Sequence, residues 1–165
     1  MGTQLSLFRT FVRVKTLLPS PAIIPNRDSN ECTLQELWVR VRAQYFPVTP
    51  ELDEFRVCWS PRRQKRVLAS CFLSKKLIRV AREMGEPRGA EYLEPLLYHE
   101  MCHAYLGVSG ELGKKRWSFH GKEFRELEKR HPGCTELNQW IKTGGWSKAV
   151  RSARSREAWK RRKVA

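Results

Sequence analysis

Apolar positions along the chain fall into blocks whose period changes several times, and each change marks an element. Leu34, Leu37, Trp38, Val41 and Tyr45 recur at the spacing of one helix face, Thr33-Leu34-Gln35-Glu36 reads as a capping box ahead of them, and Pro47 ends the run. This pattern predicts an amphipathic helix with Thr33 at its N-cap. Phe55, Val57 and Trp59 then alternate with Arg56, Cys58 and Ser60. A Pro-Arg-Arg-Gln-Lys-Arg turn follows, and Val67 to Phe72 and Leu77 to Ala81 are rich in β-forming residues. Three short antiparallel strands are expected. Gly85, Pro87 and Gly89 precede an apolar helix over 92–106, in which Pro95 is tolerable only in the first turn. A loop from Gly107 to Ser118 leads to a second helix, Phe119 to Arg130, stopped by Pro132 and Gly133. Leu137, Trp140 and Ile141 suit a short packing helix, and Gly144-Gly145 reads as a hinge.

The fold class expected is therefore α+β, a three-stranded antiparallel sheet packed on the 92–106 helix and its neighbours. Pro19, Pro21 and Pro25, with Asn-Arg-Asp-Ser-Asn after them, form a linker. The expected organisation is a flexible segment over 1–30, one domain over 31–143 and a basic tail over 144–165. The chain has 165 residues, enough to bury a core without disulfides. Cys32, Cys58, Cys71, Cys102 and Cys134 are scattered, odd in number and form no CxxC pair, which suits reduced, mostly buried thiols in a cytoplasmic protein. Arg9, Arg13 and Lys15 break the apolar N-terminus, which lacks a cleavage site and so makes a poor signal peptide. No run approaches transmembrane length.

Charge adds a partner to this picture. The formal net charge is +15, an imbalance that predicts a polyanionic partner. It is concentrated at the C-terminal end, where Lys148, Arg151, Arg154, Arg156, Lys160, Arg161, Arg162 and Lys163 face only Glu157. Those eight residues are candidate DNA contacts, and Trp146 and Trp159 among them could stack on unpaired bases.

The chemistry lies in the apolar helix. Residues 99–103 read His-Glu-Met-Cys-His, so His99 and His103 share one helical face and can both reach a metal ion about 2.0–2.1 Å away. Glu100 sits about 100° round the helix, placed to take a proton from a water at that metal. The four histidines all lie between 99 and 131, so the third ligand is His120, His131 or a carboxylate. On the expected second helix His120 and His131 are roughly 16 Å apart and cannot bind one ion. His120, at the helix start and beside Gly121, is the better choice. Three histidines would leave a position open, as a catalytic rather than a structural Zn2+ requires. Tyr98, Tyr105, Arg125 and His131 are candidate donors to a developing oxyanion. Cys102, turned from the histidine face, is expected to be a buried thiol and no ligand.

His-Glu-Met-Cys-His-Ala-Tyr-Leu followed by Phe-His-Gly-Lys-Glu-Phe resembles the SprT-like, or Spartan-like, metalloprotease domain, whose pattern is HEMxHAxL then GHGxxF. The resemblance covers roughly residues 33–131. It implies a compact zincin-like domain, one catalytic Zn2+ on His99, His103 and His120, Glu100 as the catalytic residue, and cleavage of DNA-bound or DNA-crosslinked proteins. Phe119 stands where the family has glycine. The cysteine-rich zinc module that many relatives carry is not matched, since only Cys134 follows the catalytic part.

Gln4-Leu5-Ser6-Leu7-Phe8 resembles in full the QL[S/D]LF peptide by which many bacterial replication and repair proteins bind the β sliding clamp. A peptide near a free end, on a proline-bearing linker, can reach a partner's groove while the domain stays mobile. The expected protein is thus a monomeric, cytoplasmic, nucleoid-associated bacterial metalloendopeptidase, with DNA, the clamp and protein substrates as partners and no membrane. The rivals are a general zinc peptidase indifferent to DNA and a non-catalytic DNA or clamp adaptor that keeps its metal for folding.

Overall fold

The computed structural model describes residues 29–110 and 120–164. Helix α1, Ser29–Tyr45, buries Leu34, Trp38 and Val41 on one stripe, with Leu37 and Tyr45 half-buried beside it. The helix begins at Ser29, so Thr33 lies within the helical run and is not the N-cap that the capping box predicts. Pro47 closes the element as expected.

Strands β1, Arg56–Trp59, β2, Ala69–Phe72, and β3, Leu77–Val80, form one sheet in the order β1-β3-β2. Only part of the expected pairing holds. β2 and β3 are antiparallel, whereas β1 and β3 are parallel, with Arg56 opposite Leu77 and Trp59 opposite Val80. The last strand enters between the first two, so the sheet is mixed. Its two edges are treated differently. Gln35 of α1 reaches the outer edge of β1, where its Oε1 accepts from Val57 N at 2.9 Å and its Nε2 donates to Phe55 O at 3.2 Å. That side chain does for β1 what a neighbouring strand would. β2 is the other edge. Leu68 O accepts from Ala81 N, so by antiparallel alternation the backbone groups of Ala69 and Cys71 point away from β3.

A 3-10 turn, Arg82–Gly85, and a one-turn helix α2, Pro87–Ala90, lead into α3, Leu93–Val108. Pro95 is the third residue of α3, inside the first turn. Leu96, Leu97, Tyr98, Met101, Cys102, Ala104 and Leu106 are all buried, so α3 is covered on every side and forms the axis of the molecule. It touches α1, the edge strand β2, α4 and α5. Gly107 falls inside α3 and does not open the expected loop: a Cβ there would meet Leu73 at 2.5 Å, so its bareness lets the helix lie against the end of β2. Helix α4, Lys122–Glu128, starts three residues later than expected, with Gly121 as N-cap. The packing helix appears as α5, Gly133–Lys142.

The basic segment is a 20-residue helix, α6, Gly145–Val164, whose first half belongs to the core. Trp146, Ala149, Val150 and Ala153 are buried at helical spacing. Gly144 and Gly145 make a fixed corner in place of a hinge. Gly144 takes the left-handed conformation at φ 79°, and Gly145 presses against the Trp140 indole, itself stacked on Tyr92 at 4.6 Å. A Cβ on Gly145 would lie 2.2 Å from Trp140 Nε1. Gly145→Ala will therefore cost about 1–3 kcal/mol of stability, read from the denaturant midpoint; an unchanged midpoint would show that the corner yields freely.

Candidate metal centre

His99 and His103 stand one turn apart on α3, 2% and 0% exposed, within the apolar wrapping of that helix. His120 occupies the turn before Gly121, half-buried. Arg125 Nε donates to His120 O at 3.2 Å, fixing the backbone of that turn from within α4. The buried ring of Phe124 lies 5.0, 4.4 and 4.6 Å from the imidazoles of His99, His103 and His120. One aromatic side chain thus sets the spacing of all three histidines.

The ligand atoms of His99, His103 and His120 lie within 4.8 Å of one another. His103 Nε2 and His120 Nε2 are 3.1 Å apart. Two nitrogens held about 2.0–2.1 Å from one ion at tetrahedral angles stand roughly 3.3 Å apart, close to that separation. Two of the donors are held in the neutral form. Burial, then the neighbouring His99 and His120, hold His103 well below the usual imidazole range, and burial followed by the His99 charge pushes His120 down to about 4. Neutral imidazoles are what a metal takes.

Glu100 is 1% exposed, and burial pushes its carboxyl up to about 8. Among the described residues its Oε1 has no hydrogen-bond partner. Leaving a buried oxygen unpaired costs about 1–3 kcal/mol, more if charged, and a cation beside it would remove that penalty. The residues present therefore fit a metal ion. One carboxylate escaped the sequence reading. Glu128, on α4, places Oε1 2.7 Å from His99 Nδ1, which leaves Nε2 of that ring to face the cluster. Burial alone would raise the Glu128 carboxyl, but the hydrogen bond and charge of His99, with lesser help from His120 and Asn138, hold it below the usual range. Glu128→Ala will weaken metal binding by about 10–100-fold, measured by competition with a chromophoric chelator. Unchanged affinity would mean that His99 is oriented by packing alone.

The oxyanion candidates fare less well. Tyr98 donates to Leu127 O at 2.5 Å, and burial pushes its phenol far up. His131 accepts from Gly133 N at 3.1 Å through Nδ1 and packs between Tyr45 and Tyr98. Tyr105 packs on Phe46 at 4.9 Å, and Arg125 is engaged with His120 O. Each has a structural duty that accounts for it. Cys102 is a buried free thiol, as expected.

Of the charged residues on α6, Lys148, Arg151, Arg154, Lys160, Arg161, Arg162 and Lys163 are exposed. Arg156 is half-buried and ion-paired with Glu86, so its charge is already answered. Trp146 is 2% exposed and offers no stacking face, because it fills the core; Trp159 is 57% exposed with Lys163 Nζ 3.9 Å over its ring. Gln4, Leu5, Ser6, Leu7 and Phe8 lie outside the described residues, as does Phe119. Among the described residues no helix is long and apolar enough to cross a membrane.

The model of the SprT-like family matches residues 34–142, more than half of the chain. The chain belongs to the SprT-like family. Comparison with curated proteins and with solved structures found no match. The matched span of this SprT-like chain runs from the first turns of α1 to the end of α5 and contains His99, Glu100, His103, His120 and Glu128. Helix α6 lies beyond the span, although its first half completes the core.

Proposed function

We propose that the protein is a zinc-dependent endopeptidase that cleaves DNA-bound or DNA-crosslinked proteins in DNA repair. The observation that carries this reading is the convergence of three imidazoles from α3 and the α4 turn beside a buried, unpartnered Glu100 oxygen. His99, His103 and His120 would hold the ion. Zn2+ in such a site supplies Lewis-acid polarisation of a carbonyl and lowers the pKa of water to about 7. Glu100 takes the proton of the attacking water and returns it to the departing amine, a task suited to a carboxyl whose pKa lies near neutrality. Glu128 keeps the His99 ring in its productive tautomer.

Strand β2 borders the cluster, since it packs against α3 and the Glu100 carboxylate is, after burial, the second cause raising the Cys71 thiol pKa. The positive charge of the chain favours DNA as the partner that delivers the substrate, and Gln4-Leu5-Ser6-Leu7-Phe8 favours recruitment by a β sliding clamp in a bacterial nucleoid.

Zinc-loaded protein given a DNA-binding substrate is expected to cut it when DNA is present and to spare it when DNA is omitted. Equal cleavage in both arms would favour the general peptidase, and metal-loaded but inert protein would favour the adaptor. Deleting residues 4–8 is expected to abolish clamp binding while leaving cleavage intact.

A further inference from the structure

The turn between β1 and β2 carries Arg62, Arg63, Lys65 and Arg66 with no acidic residue among them, and it is held unusually firmly for an exposed loop. Gln64 N donates to Glu83, a carboxylate only 3% exposed, at 3.2 Å. The Gln64 side chain donates to Ser60 Oγ at 2.9 Å, and Ser60 Oγ donates to Arg62 O at 2.8 Å. The buried indole of Trp146, at the start of α6, donates to Lys65 O at 3.0 Å. A buried carboxylate and a buried indole are thus committed to fixing the backbone of a wholly cationic loop.

The same contacts join the loop to α6. Glu157, the one acidic residue of that helix, pairs with Arg63 of the loop and with Arg161 of its own next turn at 3.2 Å. Arg154 and Arg161 are seven residues apart and so lie within about 20° of one another on the helix, with Glu157 between them. Loop and helix cations therefore adjoin. With Glu157 and Glu86 engaged by Arg63, Arg161 and Arg156, no carboxylate among the described residues pairs with Arg62, Lys65, Arg66, Arg151, Arg154 or Arg162. Like charges held side by side on fixed backbone repel one another unless an anion is brought to them.

We infer that the 61–66 loop and the outer face of α6 form a single composite surface for a nucleic-acid phosphodiester backbone, with the loop as an equal partner of the helix. This rests on the reading of DNA as the partner and adds where DNA sits. Arg151 to Arg162 span about 16 Å of helix, enough to follow several successive phosphates. The surface is coupled to the cleavage site by β2. Leu68 stands at the foot of the loop, and β2, which packs against α3, carries the chain on to Cys71, three residues or about 10 Å further along. DNA on this surface would hold an attached protein near the side of the sheet that packs against α3.

The test uses zinc-loaded full-length chain and fluorescence anisotropy with duplex and single-stranded DNA across a salt series. One variant carries Arg62→Ser, Lys65→Ser and Arg66→Ser; the other carries Arg151→Ser, Arg154→Ser and Arg162→Ser. Each is expected to bind DNA about tenfold or more weakly and to lose about two to three from the salt slope, with melting temperature and zinc content unchanged. If the loop variant binds like wild type while the helix variant does not, the composite surface is wrong and the DNA reading survives. If wild type itself fails to bind either DNA, that reading falls with it. Tighter binding to anionic phospholipid vesicles than to DNA would overturn the assignment of the ligand.

Discussion

Glu100→Gln will leave the metal in place and reduce cleavage by about two to four orders of magnitude. The substitution is nearly isosteric, and since His99 is held by Glu128 and His120 lies against His103, the histidines should keep their positions. What is lost is a group able to accept a proton. The same variant carries a second signature. In the metal-free chain the Glu100 carboxyl is raised to about 8 from its usual 4.5, so the folded state holds a proton that the unfolded chain releases. Its contribution to stability is full below pH 4.5 and is lost as pH rises through 8. Glu100→Gln removes that loss, and metal-free variant at pH 8 and above should be more stable than metal-free wild type, by on the order of a few kcal/mol. Urea unfolding at pH 5 and pH 8.5 reads it: a gap that fails to widen with pH would show that Glu100 is not buried as described.

The second large effect is on the metal itself. His103 is fully buried, with its Nε2 facing that of His120, and no other described side chain can replace it in the cluster. Zn2+ at a thousand times its dissociation constant stabilises a three-ligand site by about 4 kcal/mol, equivalent to a rise on the order of 10 °C in melting temperature. His103→Ala should abolish that rise. A zinc-dependent shift persisting in the variant would place the metal elsewhere.

Much of this centre was legible because its chemistry is local. His99, Glu100 and His103 fall within one turn and a half of a helix that is apolar throughout, so spacing alone puts them on the face they occupy. His120 required one more step, a choice against His131 on helical separation, and the structure brings it to the cluster. Glu128 was beyond reach for the opposite reason. It is one of three glutamates on α4, and only the approach angle of α4 to α3 selects it over Glu123 and Glu126. The general need of a ligating histidine for an acceptor on its second nitrogen could have suggested a search, but not the answer.

The fold shows the same division. Stripes at helical spacing located α1, α3 and α5, and alternation located the strands. Strand order is a non-local property, and nothing in the alternation of Phe55, Val57 and Trp59 tells that β3 would lie between β1 and β2 and run parallel to β1. Helix α6 was hidden by its own charge. Trp146, Ala149, Val150 and Ala153 carry a core-facing stripe, yet eight cations among twenty residues made the segment read as a solvated tail.

The central claim is that the three histidines hold one zinc ion with which Glu100 cuts a peptide bond in DNA-bound protein. It is tested most directly by stripping the chain of metal and titrating Zn2+ back in the presence of a protein crosslinked to DNA. Cleavage is predicted to return in step with zinc and to saturate at about one equivalent per chain, while Glu100→Gln binds the same equivalent and stays inert. Wild type that binds one equivalent and cleaves nothing, or cleavage that persists in Glu100→Gln, would contradict it.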